Sequence, residues 1–318
     1  MRVGVLLGAL AALSLAGPWL APLDPEAQHR AFLHAPPMPP RVMHQGALHA
    51  PFVYPIVLED RLARRFAEDR SRTLPLPWFA SNASDASFLL GTDSLGRDLL
   101  SRVLHGARVS VSLALAGVAG AVLLGLLFGA AAGARGGWLD EVVMRTADLI
   151  AVLPVIYIVL VLRASMPLVL NVSTIFTLMA AIFAAVGWPF VARGVRNIMA
   201  SEREREYVLA ARALGAGPSS IVVRHLLPAC QGYLLIQATV LLPAFILAEA
   251  TLSYVGMGFP AHVPTWGTML LDAANVNALT RFPWMLTPAV AILLTVLSAN
   301  VLLQSGKIRP QTARLDAR

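Results

Sequence analysis

The sequence predicts an all-α membrane protein of six transmembrane helices, with a long polar segment after the first. Of its 318 residues, 57% are hydrophobic and only 14% charged, against roughly 25% charged in a soluble domain. The apolar residues gather into six runs, each near the roughly 20 residues that a helix needs to cross a hydrocarbon core. The cationic excess, a net charge of +7, sits in segments flanking those runs, which removes nucleic acid as its explanation. The single cysteine, Cys230, excludes an intrachain disulfide and suits a small apolar filler.

The first run, Val3–Leu20, lies within an N-terminal part of residues 1–23, with Arg2 before it and Pro22, Asp24 and Pro25 behind. It exceeds the roughly 7–15 apolar residues of a signal-peptide core, so it reads as an uncleaved span. The other runs fall in a transmembrane domain of residues 106–303. They are Val109–Ala134, Val142–Leu162, Ser173–Val191, Tyr233–Leu252 and Trp284–Leu303. Gly125 and Gly129 let a neighbouring helix come close. Pro154, Pro189, Pro243 and Pro288 are breakers that spans tolerate where neighbours re-satisfy the backbone.

Arginine fixes the orientation. The segment between the fourth and fifth spans carries Arg193, Arg196, Arg203, Arg205, Arg212 and Arg224, and the tail at 304–318 carries Lys307, Arg309, Arg314 and Arg318. With six spans both fall on the side of Arg2, which makes that side, and both termini, cytoplasmic. Residues 24–105 then lie outside. The stretch from Pro22 to Arg108 holds ten arginines against nine acidic residues, and loops beyond roughly 60 residues escape the orientation rule.

That outer segment begins with a proline-rich part, including Pro36-Pro37-Met38-Pro39-Pro40, which disfavours helix. Leu58–Arg70 carries the pattern of a short amphipathic helix around Leu62 and Phe66. Two histidine pairs, His29/His34 and His44/His49, invite a metal-capturing loop. Five-residue spacing puts neither pair on one helix face, so no metal site is assigned. Farther on, Asp93 or Ser94 is placed to cap a surface-lying amphipathic helix over Leu99–Arg108 that leads into the second span.

The loop at 193–228 is the most informative stretch. Ser201 and Glu204 have capping-box spacing, with Glu202, Glu204 and Glu206 at the positive end of the helix dipole. The predicted helix runs from Glu202 to Leu214 and stops at Gly215, with Gly217-Pro218 confirming the break. A second short helix over Ser219–Leu227 ends at Pro228. Tyr207, Ala210, Ala211 and Leu214 form one apolar face that needs somewhere to dock. Ala210 and Ala211 leave so little side chain that a partner can approach the backbone. A helical hairpin packed on itself is the plain alternative. A DNA-reading helix-turn-helix fits worse, because spans tether both ends to the bilayer.

Leu209-Ala210-Ala211, Gly215 and then His225-Leu226-Leu227-Pro228 resemble the EAA loop of binding-protein-dependent ABC importer permeases. Leu209 stands where the general pattern has Glu, and His225 where it has Ile; both resemble the dipeptide/oligopeptide/nickel branch, C-type subunit. Gly91-Thr92-Asp93 through Gly96-Arg97-Asp98, Glu249 through Gly258, and Trp266-Gly267 resemble the same branch. The insert at 24–85 is longer than usual for it, and the chain after Asn300 lacks its Gly-Asp and Arg-Asp pairs.

The resemblance implies a type I importer permease fold in a bacterial inner membrane. This chain would form half of a pathway for di- or oligopeptides, with nickel or another small solute as the alternative cargo. It also implies a second, B-type permease, two ABC ATPase subunits and a periplasmic solute-binding protein as partners. The expected ATPase-coupling residues are Glu206, Tyr207, Ala210, Ala211, Gly215, Leu227 and Pro228. Glu249 and Ser253 are candidate pathway or gate residues. No phosphate loop occurs in the chain, so no cofactor is expected in it, ATP being bound by the partner ATPases. No catalytic residue is expected either. A membrane hydrolase lacks its motifs, with His225 and Ser253 on opposite sides of the bilayer, and the internal repeats of a secondary transporter are not found.

Overall fold

The computed structural model describes residues 12, 14–44, 46–60, 64–79, 87–165, 167, 170–274 and 280–307. Most of the predicted first span and residues 308–318 of the predicted tail lie outside these. The chain forms two compact units, one of Met1–Leu10, Leu113–Ala248 and Thr295–Arg318, the other of Ala11–Ser112 and Glu249–Leu294. Among the described residues, four helical stretches are long and apolar enough to cross a membrane: Leu99–Arg135, Val172–Glu202, Pro218–Tyr254 and Pro283–Asn300.

The first unit is helical among its described residues. Helix α2 (Leu99–Arg135) passes through it and packs along α5 (Val172–Glu202). Glycines set that approach: a Cβ on Gly125 would lie 2.4 Å from the Val191 Cβ, and one on Gly129 2.6 Å from the Ala192 carbonyl oxygen. No side chain fits there, which is how small residues replace a hydrophobic drive between spans. Phe183 stacks on Phe245 at 4.9 Å between ring centroids. Pro189 and Pro243 lie inside continuous helices, as expected of spans.

The predicted third span is not one helix. It divides into α3 (Gly137–Val152) and α4 (Val155–Ala164), with Leu153 extended at ψ 131°. Pro154 is the cause, since it lacks an N–H and pushes the residue before it out of helix. Helix α3 rests its Val143 and Ala147 against Ala132, Trp188 and Ala192. Arg193 reaches Asp148 at 2.6 Å, and Arg196 Nε donates to Asp140 at 2.8 Å.

The second unit corrects the all-α expectation. Strands β1 (Arg41–His44), β2 (Ala47–Val53) and β5 (Leu74–Pro75) form an antiparallel sheet in the order β1-β2-β5. The predicted amphipathic helix over Leu58–Arg70 is instead a hairpin of β3 (Ile56–Asp60) and β4 (Arg65–Glu68), with Leu58 opposite Phe66. Ile56 and Phe66 join a core of Ala35, Met38, Val53 and Phe88. The β-branched residues Val53, Ile56 and Val57 favour strand there. The helical residues 14–20 (α1) fit closely beside α2: a Cβ on Gly17 would fall 2.5 Å from the Leu104 carbonyl oxygen. His44 and His49 come together with Phe52 and Tyr54 as an aromatic cluster, with 5.7 Å between the two imidazoles.

The lead-in to α2 also differs from expectation. Asp98, not Asp93 or Ser94, caps the helix, its carboxylate accepting the Ser101 N–H at 2.8 Å. The predicted surface helix is the start of α2 itself, with Arg102 wholly buried.

Candidate functional site: the loop from α5 to α8 and the Glu249 network

Helix α5 runs through Glu202, so Ser201 is in its last turn and makes no capping box. The chain turns at Arg203–Arg205, with Arg205 extended at ψ 143°, and α6 occupies Glu206–Ala213, shorter than expected. Glu206 stands in its first turn, where the dipole favours a carboxylate. The Tyr207 hydroxyl donates to Glu202 at 2.6 Å, and its ring lies 5.8 Å from that of His225. Bonding to that carboxylate pushes the Tyr207 hydroxyl above its ordinary range.

The end of α6 is a Schellman motif. Gly215 takes φ +86°, the Gly215 N–H donates to the Arg212 carbonyl, and the Ala216 N–H donates to that of Ala211, both at 3.0 Å. A side chain at Gly215 would meet no neighbour, so the glycine serves the backbone angle and not a tight fit.

Pro218 opens α7 (Pro218–Ile221), and a π turn at Val222–Leu226 joins it to α8 (Leu227–Tyr254). The predicted stop at Pro228 is therefore absent. Pro228 has no N–H to bond back one ordinary turn, and the wider π turn, with the Leu227 N–H donating to Val222, absorbs that gap without ending the helix.

Only Val208 of α6 is buried, with no exposure at all, a burial worth about 2 kcal/mol. The opposite face is open: Leu214 is 89% exposed, and Tyr207, Leu209 and Ala210 are exposed beside it. Ala211 and Leu227 are half-buried and Pro228 is exposed. The loop thus anchors α6 through Val208, ends it at Gly215 and leaves the opposite face uncovered.

The second group of predicted site residues is built around Glu249, wholly buried near the end of α8. Its carboxylate accepts the hydroxyls of Ser110, from α2, and of Ser253, one turn along α8, both at 2.8 Å. Ser110 in turn accepts the Trp266 N–H at 3.2 Å, at the start of α9 (Trp266–Ala273). Gly267 packs against α8, where a Cβ would lie 2.6 Å from that of Ser253. Glu249 and Ser253 are therefore joined in one buried clamp between three helices.

A further ionic cluster escaped sequence reasoning. Arg97 bonds Asp93 at 2.6 Å and Asp272 at 2.9 Å, and Arg102 lies 3.5 Å from Asp93. In sequence, Asp93 reads only as a candidate helix cap and Arg97 only as part of the Gly-Thr-Asp…Gly-Arg-Asp resemblance. Nothing local could reveal Asp272 as a partner.

Helices long and apolar enough to cross a membrane, two of them joined by an exposed helical loop, define a multi-span membrane protein. Residues 121–305 match the family described as binding-protein-dependent transport system inner membrane component, and the chain belongs to that family. It is 38% identical to the oligopeptide transport system permease protein OppC of Bacillus subtilis over 66% of this chain and 67% of that one. It is 33% identical to the di/tripeptide transport system permease protein DppC of Pseudomonas aeruginosa over 91% of this chain and 80% of that one. A DppC of Alkalihalophilus pseudofirmus is 34% identical over 68% of this chain and 69% of its own length.

Proposed function

We propose that this chain is the C-type permease subunit of an ATP-driven importer and forms half of the membrane pathway for di- or oligopeptides. Relatives bearing peptide-permease names over most of the chain support this cargo above nickel. A periplasmic solute-binding protein delivers the peptide, a B-type permease completes the pathway, and two ABC ATPases supply the energy. Both termini and the loop at 193–228 face the cytoplasm, and residues 24–105 face the periplasm.

The observation that carries the coupling role is the uncovered ridge of α6, anchored by Val208 and fixed by the turn at Gly215. In this reading Glu206, Tyr207, Ala210 and Ala211 meet a cleft of an ATPase, while Gly215, Leu227 and Pro228 hold the ridge in place. Closure of the ATPases on ATP then moves α5 and α8 as levers. Glu249 and Ser253 form a latch among α2, α8 and α9 that gates the outer part of the pathway.

Replacing Ala211 with Glu tests the docking role. The variant should reach the membrane in normal amount, lose ATPase association and abolish peptide uptake. Normal association and uptake would count against the ridge as the coupling surface.

A further inference from the structure

The second unit contains a cleft of about 530 Å3, within the roughly 300–1,000 Å3 of small-ligand sites. Three separate chain segments line it, and its charges and rings are divided. Arg64 and Arg65, on the β3–β4 hairpin, and Arg281, just before the last helix, supply cations. Among the described residues none of the three is ion-paired. Among the described lining residues, Glu59 is the one carboxylate.

The apolar wall is Phe66, Phe282 and Trp284, and each ring is held from behind. Phe66 stacks on Phe32 at 6.4 Å. The imidazole of His34 lies parallel to Phe282, at 4.2 Å and 4°. Trp284 donates to the Thr92 carbonyl at 3.3 Å and closes on Gly91, where a Cβ would lie 2.9 Å from the indole. A wall fixed in this way does not have to be ordered by its ligand.

The backbone gives an independent sign. Among the described residues only His34 and Arg64 are non-glycines with positive φ, at 55° and 49°. One lines the cleft and the other buttresses its wall. Such strain gathers where a site over-determines its residues.

We propose that this cleft binds a short peptide by its free C-terminal carboxylate and the apolar side chain next to it. The arginine forks match a carboxylate in planar, charge-assisted pairs. The three rings take the side chain, and Glu59 faces the ammonium end. Among the described lining residues, three arginines against one carboxylate favour the anionic end over the amine. The cleft is a receiving site on the permease itself, separate from the Glu249 clamp. This inference rests on the peptide-import reading.

The test uses the full importer complex in lipid nanodiscs without its binding protein, titrated calorimetrically with alanyl-phenylalanine and with its C-terminal amide. The free acid should bind saturably and the amide roughly tenfold more weakly, the loss of one charge-assisted pair. Arg281→Ala should weaken the acid to the level of the amide, and Arg281→Lys should restore part of the difference. Equal binding of acid and amide, no binding of either, or an Arg281→Ala complex that binds as wild type would each overturn the site. Peptide uptake by cells carrying or lacking this chain is measured alongside. Uptake that requires the chain while the cleft binds nothing defeats this inference alone, and uptake indifferent to the chain defeats the import reading.

Discussion

Gly215 sits at φ +86° with open space where a side chain would go, so a substitution there tests backbone angle without a steric clash. Gly215→Val should cost about 1–2 kcal/mol locally, unseat the end of α6 and reduce uptake strongly, with membrane insertion unchanged on a blot. Glu249 makes a different demand. Glu249→Leu leaves the Ser110 and Ser253 hydroxyls without their acceptor at about 1–3 kcal/mol each, which thermal unfolding of the purified complex will show. Glu249→Gln, which keeps one acceptor oxygen, should lose less. His34 is held below its ordinary value of 6.5 by burial and by Arg64, against an opposing pull from Asp93. The folded state therefore favours the neutral ring. Its contribution to stability is present above about pH 6.5 and is lost as pH falls through the lowered value. The complex should melt at a lower temperature at pH 5 than at pH 7.5, and His34→Asn, which tolerates the positive φ, should narrow that gap.

The elements show what a sequence exposes and what it conceals. The glycine pair at Gly125 and Gly129 was legible as a close-packing surface, because only backbone proximity gives such spacing a use; the partner, Val191 to Val195 on α5, was not. Replacing Gly125 with Leu should force α2 and α5 apart and abolish stable accumulation, measured as folded protein recovered from membranes. The turn at Gly215 was legible for the same local reason. The hairpin at Ile56–Glu68 was not. Leu62 and Phe66 sit at helical spacing, whereas Leu58 pairs with Phe66 across the strands and Phe66 packs on the core that holds Phe88 and Met38. The break at Pro154 and the passage through Pro228 have opposite outcomes for one residue type. Pro154 follows an extended Leu153, while the π turn before Pro228 lets its helix continue. Tertiary surroundings chose between them, and the sequence alone does not contain that choice.

For the whole molecule, the apolar character and the family membership both place the chain in a membrane, and the described residues hold four helices able to cross it. In the proposed function, the exposed ridge of α6 is where an external motor engages those helices. The most direct test is cross-linking from a cysteine at Leu214, 89% exposed at the end of the ridge, in a background with Cys230 replaced by alanine. In membranes from cells making the whole importer, Leu214→Cys should join an ATPase subunit, with a yield that changes when ATP is bound. In intact cells it should resist membrane-impermeant thiol reagents, while Leu48→Cys, on β2 of the outer segment, should react. Labelling of Leu214→Cys from outside the cell, or no cross-link to any ATPase, would contradict the account.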